Sequence, residues 1–349
     1  MLKPTRRRES RSHRGATIHD VAARAGVSTA TVSRTLASPD LVSLPARARV
    51  MKAIEATGYT PNVAARNLRA RKAMMVLVVV PNIGNHFFTE ILRGIDDELV
   101  GAGYGMIIAN LDNRPEREAR YVDLAFAGQV DGVLLLGGRI PAGNGRRMSD
   151  AGLPIATICV AIPGAGLPFV MVDDIEASKA VVAHLHALGH RRFGYVAGPP
   201  GNMNETGRRR GFKAGLAAVG LPAREVIYWP GDFMLDSGVR AARDFLARKN
   251  RPTAIYAVSD HMAIAFMKTV TAAGLRVPED VSIVGFDGIE FSDFVTPTLT
   301  TIRQPRHELG QAAARILLEA LGGGKPARGI HLEAPLLVRG STGPAPKRT

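Results

Sequence analysis

Residues 17–37 read TIHDVAARAGVSTATVSRTLA, and the rest of the chain is best read outward from them. The pattern is two short helices joined by a turn. Asp20, Val21, Ala22, Ala23 and Ala25 fall in the first helix. Gly26 stands where a helix ends and a positive φ is wanted. Ser28 or Thr29 caps a second helix, and Val32 and Leu36, four apart, mark its expected buried face. The opposite face carries Thr29, Ala30, Thr31, Ser33 and Arg34. These side chains are short, polar or cationic, as a helix lying in a DNA major groove requires. An ordinary helical hairpin in some core would share much of this pattern, so the charge distribution decides between the two.

The net charge of +14 is concentrated at one end. Residues 1–72 hold 15 Lys and Arg against four acids, whereas residues 73–349 hold 30 against 27. A basic head on a nearly neutral body predicts a polyanion-binding module joined to something else. Part of the excess is RRRESRSHR at residues 6–14. It lacks apolar residues, so residues 1–15 are expected to form a disordered basic arm. Such an arm suits a solvated tail as well as non-specific phosphate contact. No apolar run reaches membrane-spanning length, and the charged leader meets no apolar stretch of the secretory kind. Cys159 is the only cysteine, which rules out intrachain disulfides and cysteine metal clusters. In ATICVAI (156–162) it reads as a buried strand residue. A reducing cytoplasm fits.

The head is expected to span residues 16–60, with a third helix in RARVMKAIEATGY (47–59). TPNVAARNLRARKA follows. Pro61 can open a helix but not continue one. The segment 61–73 carries too little apolar surface to be helical alone, so it reads as a linker that folds on contact with DNA. From residue 74 the pattern changes. MMVLVVVP is a continuous apolar strand of the kind covered on both faces of a parallel sheet. Helical and strand segments then alternate twice over, through YGMIIAN, DGVLLLG, RFGYVAG, TAIYAV and VSIVGFD. The expected fold class is α/β: two doubly wound parallel sheets behind a helix-turn-helix head. The first lobe is expected from 74–172 and 303–333, the second from 173–302 and 334–349.

Together the stretches TIHDVAARAGVSTATVSRTL, GYTPNVAARNL, VVVPNIGNHFFTEILRGID, DGVLLLG, HLHALGHRRFGYVAG, RRRGFKAGL, SDHMAIAFM, VPEDVSIVGFD and PTLTTIRQP resemble the lactose- and galactose-repressor family of bacterial transcription regulators. The likeness runs over about residues 16–342. It implies a three-helix head, a hinge helix and a two-lobed core like a periplasmic binding protein. It also implies a homodimer or larger that binds double-stranded operator DNA and a small sugar or nucleoside effector, with no cofactor. On this resemblance Thr29, Ala30, Ser33 and Arg34 match positions that touch DNA, and Thr29 and Ala30 fall where bases are chosen. Thr17, Ser28 and Thr31 join the expected DNA-contacting set. Leu68 matches a hinge leucine that wedges between base pairs in the minor groove, flanked by Asn62 and Ala65.

Ligands of doubly wound folds collect where strand C-termini point. Asn85, Phe87 and Phe88 follow the first strand of the first lobe, where aromatic faces suit a sugar ring; either Phe could equally be core. Arg208 opens the R-x-x-G-F segment, and by resemblance holds a ligand hydroxyl, ring oxygen or carboxylate. Phe233 in WPGDF matches a family aromatic. Asp260 and Asp287 each follow an apolar strand, where a carboxylate can accept two hydroxyl hydrogen bonds; Asp260 also suits a helix cap. Other signals fall away. His184, His186 and His190 surround a helix end broken by Gly189, lack carboxylate or cysteine partners, and are read as cations at a helix C-terminus rather than metal ligands. GGGK at 322–325 lacks phosphate-loop spacing, and neither a nucleophile elbow nor a dinucleotide fingerprint is present. Asp173–Asp174 and Asp96–Asp97 read as helix or strand ends. No enzyme chemistry is expected.

Overall fold

The computed structural model describes residues 16–60, 72–112 and 114–347. The chain divides into two compact units, one up to Arg71 and one from Lys72. The expected basic arm and the hinge positions Asn62, Ala65 and Leu68 lie outside the described residues.

The head consists of α1 (Ile18–Ala25), α2 (Thr29–Ala37) and α3 (Leu44–Thr57). Thr17 precedes α1, and both its backbone N–H and its hydroxyl donate to the Asp20 carboxylate at 2.8 Å. Gly26 closes α1 with φ +63°, the left-handed conformation that lets the chain turn sharply. Ser28, not Thr29, caps α2: its Oγ accepts the Thr31 N–H at 3.2 Å. The head core is small, made of Val21, Ala22, Ala25, Val32, Val50 and Ala53. One expectation fails here. Leu36 is exposed, and Thr35 fills the buried position three residues after Val32, its hydroxyl donating to the Thr31 carbonyl at 2.8 Å. Helical period permits either i+3 or i+4 as the second inward position, and the placement of α3 decides.

The larger unit holds two six-stranded sheets. The first is built from β1 (Met75–Val80), β2 (Gly105–Asn110), β3 (Gly132–Leu135), β6 (Ile155–Ile158), β7 (Phe169–Val172) and β13 (Gly329–Leu332). Their order is β13-β7-β6-β3-β1-β2, all pairs parallel. The second holds β8 (Phe193–Val196), β9 (Ile227–Trp229), β10 (Ala254–Ala257), β11 (Ser282–Asp287), β12 (Thr300–Arg303) and β14 (Leu336–Leu337), in the order β14-β12-β11-β10-β8-β9. Only β14 is antiparallel. The chain therefore crosses between the lobes three times, after β7, after β12 and after β13. A short hairpin of β4 (Ala142–Gly143) and β5 (Arg146–Arg147) was not legible beforehand. The buried Glu118 carboxylate anchors it by accepting the Ala142 N–H at 2.7 Å.

Apolar runs make these sheets two-faced. Val76 to Val80 are all buried, as are Ala254 to Val258. Helices cover both faces: α4 (Phe87–Gly101), α5 (Pro115–Phe126) and α10 (Arg306–Leu321) on the first sheet, and α6 (Asp174–Ala187), α7 (Met203–Ala218), α8 (Leu235–Ala247) and α9 (Asp260–Ala272) on the second. Helices α4 and α10 touch backbone to backbone, since a Cβ on Gly94 would lie 2.1 Å from the His307 carbonyl oxygen.

Gly26 gives a test of the head. No atom lies within 4 Å of where its Cβ would stand, so Gly26→Ala introduces backbone strain and nothing else. An alanine in the left-handed region costs about 1 kcal/mol. Calorimetric unfolding should show the head less stable by that amount and the larger unit unchanged.

Candidate functional site

Helix α2 presents Ala30 and Arg34 to solvent, with Thr29, Thr31 and Ser33 half-buried at the margins. The Thr31 hydroxyl already shares a hydrogen bond with Ser28 Oγ at 3.0 Å, and Thr17 is tied to Asp20. Arg34 is the cation on this face. Small side chains beside one arginine leave a smooth, positively charged helix surface that fits the width of a major groove.

The second candidate site lies at the C-terminal ends of the strands in the larger unit. Its centre is Arg208, which α7 carries into the interior at 4% exposure. The guanidinium donates from Nε to Asp174 Oδ1 at 3.0 Å and from Nη1 to the Val258 carbonyl at 2.6 Å. Asp287 Oδ1 stands 3.6 Å from Nη1. The flat face of the guanidinium lies 3.7 Å from the centre of the Phe286 ring, and Phe233 is 5.8 Å away on another side. Asp287 ends β11 with φ +122°, a strained conformation for any residue but glycine. Its Oδ1 also accepts from Gln304 Nε2 at 3.0 Å. Burial pushes the Asp287 carboxyl up to about 8, with Arg208 opposing and Asp260 adding to the rise. Burial also raises Asp174 despite its contact with Arg208.

The two lobes meet at this cluster. Asn204 on α7 donates to the Cys159 carbonyl at 2.6 Å and to Asp174 Oδ2 at 3.2 Å. Cys159 is buried as expected but lies just past β6, with φ +67°, rather than within the strand. Burial pushes its thiol far up, so it is held as an inert neutral group. Gly138 of the first lobe lies against Met203 of the second, where a Cβ would come within 2.8 Å of Met203 Cγ.

The sequence-expected residues divide. Arg208, Asp287 and Phe233 come together. Asp260 is corrected: it is fully buried inside the second lobe and its carboxylate is already filled. Its oxygens accept from Thr301 Oγ1 at 2.6 Å, Ser292 Oγ at 2.8 Å and the Ile289 N–H at 2.9 Å. Nor does it cap α9; Ser259 does, accepting the Met262 N–H at 3.3 Å. Phe87 belongs to the core of the first lobe, while Phe88 is half-buried against it with its ring 5.3 Å from Phe87. Asn85 is buried and its Oδ1 accepts the Phe87 N–H at 2.9 Å, so it shapes the start of α4. Reasoning from sequence missed Asp174, Asn204 and Gln304. Asp174 follows the apolar strand FVMV, the same signal that drew attention to Asp260 and Asp287. Asp173 is the helix cap, accepting the Ile175 and Glu176 N–H groups at 3.0 Å.

A second contact between lobes was not expected. His86 at the start of α4 and His261 on α9 stack with ring centres 5.6 Å apart, and Phe291 meets His86 edge-on at 5.1 Å. His261 Nε2 is 3.4 Å from His86 Nδ1, and His261 Nδ1 is buried without a partner among the described residues. Arg306 spans the same seam, donating to the Gly288 carbonyl at 3.2 Å and lying 3.4 Å from Glu290. Burial, with His86 and Arg306 nearby, pushes the His261 imidazole down to about 4.

The histidines around Gly189 also need correction. His190 is fully buried and is held below its ordinary range by burial, so it is no cation at a helix end. Its nitrogens meet Thr253 Oγ1 and Ser282 Oγ at 3.0 Å and the Gly343 carbonyl at 3.1 Å, pinning the C-terminal segment to the second lobe. Among the described residues no group of three or more His, Cys, Asp or Glu could hold a metal. No described helix is long and apolar enough to cross a membrane.

Comparison with known proteins agrees with both units. Residues 17–62 match the model of bacterial regulatory proteins of the lacI family, and residues 182–342 match that of the periplasmic binding protein-like domain. The HTH-type transcriptional repressor CytR of Escherichia coli (strain K12) is 38% identical over 328 residues, covering 94% of this chain and 96% of the relative. The chain belongs to the lacI family. It is a DNA-binding transcriptional regulator and not an enzyme. The HTH-type transcriptional regulator CelR of Thermobifida fusca is 34% identical over 335 residues, covering 93% of this chain and 98% of its own. Among solved structures, the lac repressor dimer bound to operator and the anti-inducer ONPF matches with a TM-score of 0.84 at 26% identity, covering 95% of this chain and all of that one. A CelR–cellobiose complex matches with a TM-score of 0.70 at 32% identity, covering 93% and 99%.

The two buried titrating sites pull stability in opposite directions. The His261 imidazole is depressed in the folded chain, so the folded state excludes its proton; the stability it contributes is present above about pH 6.5 and is lost as pH falls toward 4. The Asp287 carboxyl is raised, so the folded state holds its proton; stability is full below about pH 4 and declines as pH rises through about 8. His261→Gln should therefore lessen acid-induced loss of melting temperature, and Asp287→Asn should raise the melting temperature at pH 8.5 relative to pH 5. Equal shifts at both pH values for either variant would refute the assignment.

Proposed function

We propose that this regulator is a repressor, controlled by a small sugar or nucleoside, that binds a palindromic operator as a homodimer or larger. The observation that carries the reading is the pairing, in one chain, of a capped helix with an exposed Ala30/Arg34 face and a buried polar cluster at the ends of strands from two lobes. A two-fold dimer presents the same reading helix twice, which suits two half-sites of a palindrome. Thr29 and Ala30 meet base edges, Ser33 and Arg34 flank them, and Thr17, Ser28 and Thr31 place the helix against phosphates. Thr29 and Ala30 favour an apolar contact with a thymine methyl. The segment holding Asn62, Ala65 and Leu68 folds in the minor groove with Leu68 as the wedge. The effector, a sugar or nucleoside, lies against Phe88 and Phe233 with its hydroxyls on Asp287 and Arg208. Solved relatives support this class: one holds cellobiose, and another, from Enterococcus faecium, holds ribose at 28% identity. The regulator works in the cytoplasm on the nucleoid. A ligand with unequal affinity for two lobe arrangements shifts the operator affinity, and the coupling is reciprocal.

Operator binding measured across salt concentrations tests the head. The affinity should fall steeply, and Arg34→Ala should reduce the salt slope by about one phosphate contact. A flat response would exclude the model. Leu68→Ala should weaken specific binding while leaving the larger unit's melting unchanged. Arg208→Ala should abolish the ligand response while operator binding persists, provided circular dichroism shows the variant folded.

A further inference from the structure

The arginines around the strand ends are almost all matched to carboxylates. Arg208 lies between Asp174 and Asp287, with Asp260 buried behind them. Arg306 is taken up by Glu290 and the Gly288 carbonyl. Arg209 pairs with Glu205 at 2.7 Å, and Arg139, next to Gly138, is clasped by Glu118. Arg303 has no carboxylate partner among the described residues, but it is exposed to water, where a charge contributes little to a ligand held in a cleft. At the centre, one buried guanidinium faces two buried carboxylates and its Nη1 is already bonded to the Val258 carbonyl. An anion arriving here finds no free buried cation, and as pH rises through about 8 and Asp287 ionises it meets an excess of negative charge as well. To reach Arg208 it would have to displace Asp174 or Asp287.

We infer that the cleft admits an uncharged ligand and rejects the phosphorylated or carboxylated form of the same molecule. This rests on the cleft being the effector site, as proposed above. Hydroxyl groups donate to carboxylate oxygens, which satisfies Asp287 without adding charge. A phosphate or carboxylate cannot donate and adds repulsion. At an effective dielectric near 20, one like charge several ångströms away weakens binding by roughly a hundredfold. Burial holds both Asp174 and Asp287 above their ordinary range, so the repulsion of an anion grows as pH rises through about 8 and Asp287 gives up its proton. A guanidinium left free at this position would reverse the preference, so the charge class of the effector is set by Asp174 and Asp287 and not by Arg208 alone.

The experiment is a melting-temperature screen of the full chain against matched pairs: ribose and ribose 5-phosphate, glucose and glucose 6-phosphate, glucose and gluconate, and the four ribonucleosides with their 5′-monophosphates. A binder raises the melting temperature of the larger unit by mass action. The basic head attracts anions non-specifically, so calorimetric competition follows: the charged member of a pair must fail to displace the neutral one. The expected result is a neutral hit whose charged counterpart binds at least about thirtyfold more weakly. Measured at about pH 9, where Asp287 is ionised, the isosteric Asp287→Asn should narrow that ratio by about tenfold; a ratio that does not move there would overturn the charge argument. A charged member that binds as tightly as its neutral partner, or displaces it, would overturn the inference while leaving the cleft as the effector site. Silence across every pair would overturn both.

Discussion

A single buried guanidinium ties together the groups at the strand ends of the second lobe. Arg208 draws in Asp174 from the start of α6, Asp287 from the end of β11 and the Val258 carbonyl from beyond β10. Each of these groups would be costly to bury alone. Removing one partner from such a pair leaves an uncompensated charge, at roughly 3–5 kcal/mol. The strained φ of Asp287 is tolerated because Gln304 and Arg208 hold its carboxylate in place. Asn204 then links the same cluster to the first lobe through the Cys159 carbonyl. On the proposed reading, the groups that stabilise the second lobe are also the groups a ligand meets, so ligand binding and lobe geometry would share their physical basis.

The architecture was legible because it depends on periodicity. Runs such as MMVLVVV and TAIYAV can only be strands covered on both faces, and the helical segments between them require parallel pairing. The head was legible because Gly26 and Ser28 are local signals whose meaning needs no tertiary partner. What failed depended on partners distant in sequence. Asp260 and Asp287 present the same local pattern, an acid after an apolar strand. Their difference is that Thr301, Ser292 and the Ile289 N–H surround one and leave the other facing Arg208. Asp174 looks like a plain helix end locally because the arginine that defines its role is 34 residues away. His190 looks like a helix-end cation locally for the same reason: burial keeps it neutral, and the Thr253, Ser282 and Gly343 groups it is buried among are remote in the chain.

The seam of His86, His261, Phe291 and Arg306 adds a second tie between the lobes, of different character. The cluster at Arg208 is ionic and saturated. The seam is aromatic, with one imidazole nitrogen unpartnered among the described residues. An unsatisfied buried donor or acceptor costs about 1–3 kcal/mol. That makes the seam the less well satisfied of the two ties. Arg306 and Gln304 lie on the β12–α10 crossover, so a displacement at the seam is carried by the same backbone that supports Asp287.

On the proposed mechanism, this geometry limits which ligands can act as a switch. Moving a two-state equilibrium from 1:99 to 99:1 takes about 5.5 kcal/mol of differential affinity. Hydrogen bonds to charged groups contribute about 1.5–3 kcal/mol each, so two to four that form in only one arrangement would suffice. Arg208, Asp287 and Phe233 all belong to the second lobe. A ligand confined to them would meet the same surface whatever the first lobe did, and would bind tightly without changing operator affinity. Phe88 is the proposed contact on the other side of the cleft, and α4, which carries it, begins at His86. An effector must therefore be long enough to reach from Asp287 to Phe88. A smaller molecule carrying the same hydroxyls would occupy the site as a competitor and leave regulation untouched.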